Sequence, residues 1–397
     1  MKIPFLRPNP PKLSELAAEL AGIEASGIFS NYGPVNTAFE QQLQQTIFGG
    51  IGACVTVCNA TIGLMMAIKH CAGATSEQPG RRRFALMPSF TFAATAHAAL
   101  WCGLTPLLCD IDEESWLPSA AAEQDLLERY GSDIAVVVPY ATFGNNLDLA
   151  HYDRLSKRYK VPVVVDAAAS LGSLTDDGVG FGSGCRHPVV FSLHTTKPFA
   201  TLEGGLIYCA DLRSVAALRA MGNFGFAQPR TATMPGLNAK LSEVTALLGL
   251  RKLTEFERVV RHRVALAEAY HAALPGWTFQ RMHGPRHAYT FMPALLPEQQ
   301  AERRQQILAR LAAQGIGAGT YFSPHLAEQP YFRETCTSGD LAATRRIGRR
   351  IVSLPLSDRM TADEVGFIGG VLRDACGEPA GAPSARGARF TAGGGPM

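Results

Sequence analysis

Between residues 50 and 210, short apolar runs alternate with longer stretches of helical pattern, and this alternation limits the choice of fold more than any other feature. The runs are "ACVTVC", "FALMPS", "TPLLCDI", "IAVVVPY", "VPVVVDAAA", "PVVFSLH" and "GGLIYCA". They are apolar at consecutive positions, which indicates strands that are buried on both faces. Strands that alternate with helices in this way predict an α/β domain with a mostly parallel sheet between helices.

The rest of the chain predicts a second, smaller unit. A long helical pattern, "NAKLSEVTALLGLRKLTEFERVVRHRVALAEAYHAAL", follows the strands and leads into a region that mixes strand and helix patterns. We therefore predict a large domain over residues 1–250, with a helical segment at its start, and a smaller C-terminal α/β domain over 251–376. Residues 377–397 are rich in Gly, Pro and Ala, which predicts a disordered tail.

Composition excludes several classes of function. The net charge of +3 is too small to favour nucleic-acid binding, and the apolar runs are far shorter than the ~20 residues of a membrane-spanning helix. The nine cysteines are scattered, and none forms a CxxC pair, so neither a metal site nor a disulfide framework is predicted. Together with the lack of a signal-peptide pattern, they favour a reducing cytoplasm.

Two charged residues follow buried strands. Asp166 ends the run "VPVVVD", and Lys197 follows the run "PVVFSLH" after a short turn. The carboxyl ends of parallel strands meet at one edge of a sheet, where such folds bind ligands. We expect the two side chains to lie at that edge. Taken alone, they could form a structural Asp–Lys ion pair.

Other residues add an anion site and an aromatic surface. Ala60 and Thr61 begin a helix after the first strand, and the free N–H groups of a helix start bind phosphate. Ser192 precedes Lys197 and can reach the same anion, while Phe92 can lie flat on an aromatic ring. The alternatives are an ordinary N-cap by Asn59 or Thr61 and core packing of Phe92.

These groups together match the needs of pyridoxal 5′-phosphate (PLP). The aldehyde of PLP condenses with a lysine amine, and its ring nitrogen needs a carboxylate to remain protonated. A covalent bond to PLP also explains why Lys197 is placed where a free ammonium would be costly to bury.

The sequence resembles the DegT/DnrJ/EryC/StrS sugar aminotransferases, which have the type I aspartate-aminotransferase fold. The resemblance extends from "SGIFSNYGPVNTAFEQQL" near residue 26 to "SLPLSDRMTADEV" near residue 353. Between them lie "PSFTFAATAHAALWCGLTPLLCDID", "VVVDAAASLGS", "FSLHTTKPFATLEGG" and "GLNAKLSEVTALLGL" in the family's order.

The resemblance implies a role for each matching residue. Lys197 would bind PLP covalently, and Asp166 would pair with its ring nitrogen. Asn238 matches an asparagine that reaches the phosphate of the neighbouring subunit, which implies a homodimer with shared sites. The remaining cofactor contacts implied are a ring-stacking residue, Phe92, and phosphate ligands, Ala60, Thr61 and Ser192.

The resemblance also implies the substrates: glutamate as amino donor and a nucleotide-linked keto sugar, such as a dTDP-4-keto-6-deoxyhexose, as acceptor. The product would be an amino sugar for a surface polysaccharide or a secondary metabolite. Two positions depart from the family. Ala169 stands where a glutamine usually approaches the phenolic oxygen of the cofactor, and Lys240 replaces a usual arginine.

Four further residues have two interpretations each. His194 contacts cofactor or substrate, or it is a satisfied histidine at a strand end. Tyr321 and His325 line the substrate opening, or they pack within the small domain. Glu203 supports the turn after Lys197, or it contributes to the site.

Two rival functions remain at the level of sequence. Related sugar 3-dehydratases use PLP but carry histidine at the position of Lys197, so this lysine argues against dehydration. The second rival is a regulatory protein without activity that keeps the fold, and the presence of both Asp166 and Lys197 argues against it. The P-loop, HExxH, GxSxG and GxGxxG signatures are missing.

Overall fold

The computed structural model describes residues 2–73 and 83–377, and it confirms the predicted α/β fold. Apart from Gly377, the predicted tail lies outside the described residues. The helices are α1 (Ala17–Ser26), α2 (Pro34–Thr46), α3 (Ala60–Ala72), α4 (Ala93–Trp101), α5 (Ala120–Tyr130), α6 (Leu149–Tyr159), α7 (Leu212–Met221), α8 (Glu243–Ala273), α9 (Arg304–Ala313), α10 (Pro330–Thr335), α11 (Ala342–Arg350) and α12 (Ala362–Cys376). The strands are β1 (Ala53–Val57), β2 (Phe84–Pro88), β3 (Thr105–Cys109), β4 (Ile134–Val137), β5 (Val165–Asp166), β6 (Val189–Ser192), β7 (Gly205–Cys209), β8 (Phe226–Ala227), β9 (Thr231–Ala232), β10 (Thr278–Phe279), β11 (Met292–Leu295), β12 (Thr337–Ser338) and β13 (Ile351–Leu354).

The central sheet is mostly parallel, as predicted. Its strands lie in the orders β1-β7-β6-β5 and β12-β3-β2-β4. Parallel bridges between Val137 and Val163 and between Tyr140 and Asp166 join the two halves. Among the described strands of this sheet, only β7 runs against its neighbours, since it pairs antiparallel with both β1 and β6. The carboxyl ends of β4, β5 and β6 therefore share one edge.

Both faces of the sheet are buried, and each strand contributes side chains to both, because successive side chains point to opposite sides of a strand. On β6, Val189 and Phe191 belong to one core and Val190 to the other. Helices α2, α5, α6 and the first half of α8 cover the first core. Helices α3, α4 and α7 cover the second. Because helices cover both faces of the sheet, the sequences of the strands are continuous apolar runs.

A third core lies in the C-terminal part of the chain. It joins β11 and β13 to α9, α12 and the second half of α8. On α8, Ala246, Phe256 and Val260 belong to the first core, and Leu266, Ala267 and Tyr270 belong to the third. The long helix thus connects the two regions, and the boundary at residue 250 stays a prediction.

Candidate active site

A cavity of about 970 Å³ opens at the carboxyl edge of the central sheet. Most of the predicted site residues line it. Those residues are Ala60, Thr61, Phe92, Asp166, Ser192, His194, Lys197 and Tyr321.

Asp166 is the buried acid of this cavity. It ends β5 and is only 3% exposed. Its Oδ2 accepts a hydrogen bond from Thr95 Oγ1 at 2.6 Å, and its Oδ1 accepts one from the Ala168 N–H at 3.1 Å. Burial raises the pKa of the Asp166 carboxyl, whereas the two hydrogen bonds and the charge of Lys197 oppose this rise. A cation beside the carboxyl would restore its charged form.

Lys197 is the amine of the cavity. It lies in the turn after β6, where its backbone N–H donates to the His194 carbonyl at 2.8 Å. Burial lowers the pKa of its amine, although the negative charge of Asp166 opposes this. Among residues 2–73 and 83–377, no carboxylate oxygen lies within 4.0 Å of Lys197 Nζ. The two groups face one cavity without pairing, so the structure does not support the alternative of a structural ion pair.

The start of α3 provides an anion site. Asn59 caps the helix, since its Oδ1 accepts from the Ile62 N–H at 2.9 Å. This N-cap leaves the N–H groups of Ala60 and Thr61 without a protein acceptor in the described part of the chain. The capping interpretation and the anion-binding interpretation are therefore compatible, because they use different N–H groups.

Gly205 brings Ser192 beside this helix start. The two residues face each other across β6 and β7. A Cβ atom on Gly205 would lie 2.7 Å from the backbone N of Ala60, so any larger residue would push α3 away. The missing side chain lets the serine hydroxyl and the free N–H groups converge on one point.

One wall of the cavity is aromatic. Phe92 is 55% exposed at the start of α4, and its ring therefore remains free for a ligand rather than packed in the core. Phe143 stacks on Phe322 at 5.1 Å between ring centroids, and Phe291 stacks on Tyr321 at 5.6 Å. Ala169 also lines the cavity and presents only a methyl group where the family's glutamine is expected.

His194 and Glu203 lie together at the cavity. The imidazole Nε2 is 3.5 Å from Glu203 Oε1, and Nδ1 is 2.8 Å from Thr196 Oγ1. His194 thus has local partners, as a satisfied strand-end histidine would, and it also lines the cavity, so its contact with cofactor or substrate stays a prediction. Glu203 faces the cavity as well.

Two predicted residues do not line this cavity. His325 is 1% exposed, and its Nδ1 lies 2.8 Å from Ser89 Oγ, which favours the packing alternative over a place at the substrate opening. Asn238 is exposed and does not line the cavity, and its Oδ1 accepts a hydrogen bond from Lys240 Nζ at 2.6 Å. Its predicted role in a neighbouring subunit stays a prediction.

Sequence reasoning missed several residues of the site. The sequence does offer an indication for Thr95, because this residue lies four positions after Thr91 in the segment "PSFTFAATAHAAL", a spacing that places two hydroxyl groups close together on a helix. Thr95 acts on Asp166 from outside the cavity, whereas the missed residues that line the cavity itself are Leu6, Phe143, Thr290, Phe291 and Phe322. They come from distant parts of the chain, and nothing in their local sequence indicates that they meet.

These residues fit PLP. The two free N–H groups and the Ser192 hydroxyl suit a phosphate, the exposed Phe92 ring suits a pyridine face, and the unpaired Asp166 and Lys197 suit its nitrogen and aldehyde. Within the described residues, no cluster of three or more His, Cys, Asp or Glu side chains has the arrangement of a metal site. None of the described helices combines the length and apolarity needed to cross a bilayer.

Comparisons with known proteins agree with this chemistry. The model of the DegT/DnrJ/EryC1/StrS aminotransferase family matches residues 12–373. The Mycobacterium tuberculosis protein Rv3402c is 34% identical over 382 residues, covering 94% of this chain and 90% of that protein. The dTDP-4-amino-4,6-dideoxy-D-glucose transaminase of Shigella dysenteriae is 27% identical over 377 residues, covering 93% of this chain and 97% of the enzyme. A Bacillus cereus protein described as a PLP-dependent aminotransferase superimposes with a TM-score of 0.87 at 40% identity, covering 94% of this chain and all of that one.

Proposed function

Because the chain belongs to the DegT/DnrJ/EryC1/StrS aminotransferase family, whose cofactor is PLP, we propose that it transfers an amino group from glutamate to a nucleotide-linked keto sugar. The acceptor that we propose is a dTDP-4-keto-6-deoxyhexose. One observation carries the proposal: the Lys197 amine and the Asp166 carboxyl face one cavity without pairing with each other. The similarity to the Shigella transaminase supports the sugar and the nucleotide.

Asp166 and Lys197 would have different roles toward the bound cofactor. Bound PLP supplies an aldehyde that condenses with amines and a ring that withdraws electrons. Asp166 would hold the ring nitrogen and keep it protonated. Lys197 would hold the aldehyde carbon and, once displaced by the donor amine, would move a proton to and from the substrate carbon. The burial that lowers the pKa of Lys197 favours the neutral amine that this step needs.

The phosphate and the ring have separate supports. The N–H groups of Ala60 and Thr61, together with the Ser192 hydroxyl, would bind the phosphate, and Phe92 would cover one face of the ring. The aromatic wall of Phe291 and Tyr321 would then exclude water from the reacting carbon.

We also propose that the enzyme is a homodimer in which Asn238 completes the partner's site. Among the described side chains that line the cavity, Lys197 is the only lysine or arginine, yet both proposed substrates are anionic. Asn238 and Lys240 are joined by a hydrogen bond on a segment that also exposes Phe224 and Leu237. Burial of that segment against a second copy would bring polar and cationic groups to the partner's phosphate site.

Subunit mixing tests the shared site. We expect the Lys197→Ala and Asn238→Ala proteins to be inactive alone and to regain activity when they are unfolded and refolded together. A mixed dimer then has one intact site, so random pairing should give roughly a quarter of the wild-type activity. If the mixture stays as inactive as its components, Asn238 does not act across a subunit boundary.

A panel of substrates tests the function itself. Purified holoenzyme is incubated with glutamate and each of several nucleotide-linked keto sugars, and mass spectrometry detects the amine product. We expect amination of a dTDP-4-keto-6-deoxyhexose. Loss of water from the sugar without amination would instead identify a dehydratase, and failure of glutamate to convert the cofactor to its amine form would indicate a protein without transaminase activity.

A further inference from the structure

Buried ionic side chains meet beside the middle of α8. Arg263 and Lys252 on this helix are 3% and 0% exposed, and the side chain of Asp358 between them is 4% exposed. Arg263 Nε donates to Asp358 Oδ1 at 2.7 Å, while Lys252 Nζ lies 3.6 Å from Asp358 Oδ2. Glu255 Oε1, 2.8 Å from Lys252 Nζ, balances the second positive charge. Because burying charges is costly and apolar residues often stabilise a fold as well, this ion cluster of four residues points to a required geometry.

Arg263 fixes one segment of the cavity wall. Its Nη1 lies within hydrogen-bonding distance of three backbone carbonyls, those of Tyr289 at 2.7 Å, Leu356 at 3.1 Å and Thr290 at 3.3 Å. Tyr289 and Thr290 precede β11 and belong to no helix or strand, so the guanidinium supplies hydrogen bonds that a neighbouring strand supplies within a sheet. Thr290 and the next residue, Phe291, line the cavity. The position of this wall segment therefore depends on a side chain of α8.

The same ion cluster fixes a second segment of the wall, the N-terminal arm formed by residues 3–9. The Asn9 side chain donates to Asp358 Oδ2 at 3.1 Å, and the Asn9 backbone carbonyl accepts from Lys252 Nζ at 3.1 Å. Leu6, in the middle of the arm, lines the cavity. One cluster thus holds two wall segments that are almost 300 residues apart in the sequence.

The proposed cofactor contacts come from other elements. Asp166, Ser192 and Lys197 belong to the carboxyl ends of β5 and β6, and the free N–H groups belong to the start of α3. Of the side chains described here, none from the ion cluster lines either cavity. We therefore expect a change in the cluster to reach the reaction only through the wall segments and to leave cofactor binding intact.

On the basis of the proposed function, we propose that Arg263 is a positioning residue for transamination, which acts through the backbone of residues 289–291. Its planar guanidinium holds this segment in place while Asp358 fixes the orientation of the guanidinium itself. A displacement of about 1 Å in such a support can lower a reaction rate about 100-fold. A lysine cannot replace this arginine, because its single nitrogen cannot reach Asp358 and the carbonyls together.

Hydrogen exchange tests the positioning role without reference to activity. In Arg263→Ala holoenzyme, the amides of residues 288–292 should exchange about tenfold faster than in wild type, because the carbonyls of this segment lose their donor. Peptides from β5 and β6 should exchange at the wild-type rate. A uniform rise across the whole chain would show instead that Arg263 only stabilises the fold, and would overturn the proposal.

Two further variants complete the series. Arg263→Lys keeps a cation beside Asp358, so it should fold even where Arg263→Ala does not, yet it should still show fast exchange in residues 288–292. Arg261→Ala is the matched control, since it removes an exposed guanidinium of the same helix that pairs only loosely, at 3.5 Å, with Glu257. It should match wild type in every measurement.

Stopped-flow absorbance of the glutamate half-reaction links the geometry to the chemistry. The maximal rate should fall roughly 10- to 100-fold in Arg263→Ala and in Arg263→Lys, while the dissociation constant of PLP changes little. Added guanidinium ion should occupy the space left in Arg263→Ala, and it should restore part of the rate and slow the exchange of residues 288–292. It should have no such effect on Arg263→Lys, where the space is filled.

The outcomes separate this inference from the proposed function. If wild-type enzyme is active and the Arg263 variants loosen residues 288–292 without losing rate, the role of Arg263 is overturned and the proposed function stands. The same holds if Arg263→Lys matches wild type in both measurements. If wild-type holoenzyme neither reacts with glutamate nor aminates a keto sugar, the proposed function fails and the inference fails with it. Local loosening with a slower half-reaction, both reversed by guanidinium in Arg263→Ala, supports the inference.

Discussion

Two buried carboxyl groups, Asp166 and Glu123, show what distinguishes an active site from an ordinary buried charge. In both, burial raises the pKa of the carboxyl, and in both a hydroxyl group donates a hydrogen bond to it. Asp166 borders the large cavity and faces the unpaired Lys197 across it. Glu123 lies in the first turn of α5 and is buried, its Oε2 accepts a hydrogen bond from Tyr152 Oη at 3.1 Å, and it lines neither described cavity. Burial of a carboxyl alone therefore does not identify a site, whereas a second ionisable group that faces the same open volume without an ion-pair partner does.

The first way to test this difference is to remove the amine that Asp166 faces. Lys197→Ala should reduce transamination by about 1,000-fold or more, because the chain loses both its covalent attachment to PLP and its proton carrier. Borohydride treatment of the wild-type holoenzyme should fix the cofactor on the peptide that contains Lys197, and the variant should release it.

Lys157→Ala is a suitable control, since Lys157 is exposed on α6, away from the cavity. It should retain wild-type rates and the reducible cofactor. Retention of both properties in Lys197→Ala would contradict the assignment of this lysine.

The next test removes the charge of Asp166 and keeps its shape. Asp166→Asn should lower kcat about 100-fold, because a neutral amide cannot keep the ring nitrogen protonated. The melting temperature of the cofactor-free protein should change little, since no charge then needs to be buried. Stopped-flow absorbance of the glutamate half-reaction measures the first effect, and an unchanged rate would show that the carboxylate does not support the ring.

A smaller effect is expected from Thr95, a positioning residue that acts through Asp166. Thr95→Val removes the hydroxyl that donates to Asp166 Oδ2 at 2.6 Å, and Thr95→Ser keeps it. Because this hydrogen bond lowers the pKa of the Asp166 carboxyl, its loss should raise that pKa. We expect a roughly tenfold loss of kcat and an acidic limb of the pH profile that moves to higher pH in Thr95→Val.

The serine variant makes this result specific. A purely structural role for Thr95 would lower the rate at every pH without moving the acidic limb. If Thr95→Val and Thr95→Ser have the same profile, the hydroxyl does not act on Asp166.

The strand-end part of the site could be predicted from the sequence, and the reason is geometric. Parallel strands place their carboxyl ends on one edge, so strand runs that end before Asp166 and Lys197 indicate that the two meet. The start of α3 could be placed at this edge for the same reason, because the helix begins directly after the carboxyl end of a strand. The alternation of strands and helices also predicted the α/β fold, which the structure confirms.

The substrate wall could not be predicted in this way. Leu6, Thr290 and Phe322 lie in irregular segments that are far apart in the sequence. Whether these side chains reach one cavity depends on how the C-terminal region packs against the central sheet. His325 illustrates the limit, because a histidine near Tyr321 in sequence points into the packing against Ser89 instead of the cavity. The burial of Glu123 could not be predicted from the sequence either, since a single acid in an amphipathic helix usually faces solvent.

Glu123 provides the smallest expected effect on activity and the clearest effect on stability. Burial raises the pKa of its carboxyl from 4.5 to about 8. Above pH 4.5 the unfolded chain loses this proton while the folded chain keeps it, so the free energy of unfolding falls as the pH rises toward 8. The groups that face the carboxyl are the Tyr152 hydroxyl, the His151 ring with Nε2 at 4.0 Å, and the Cys109 thiol.

Glu123→Gln replaces the titrating carboxyl with a neutral amide that can still accept the Tyr152 hydrogen bond. The free energy of unfolding of this variant, relative to wild type, should therefore rise by a few kcal/mol between pH 4.5 and pH 8, while kcat and cofactor affinity stay unchanged. Urea unfolding at several pH values measures the trend. Glu128→Gln, on the exposed side of the same helix, should show no comparable rise. If Glu123→Gln instead impaired the glutamate half-reaction as Asp166→Asn is expected to, the open cavity would not be what separates the two carboxyls, and the comparison would have to be abandoned.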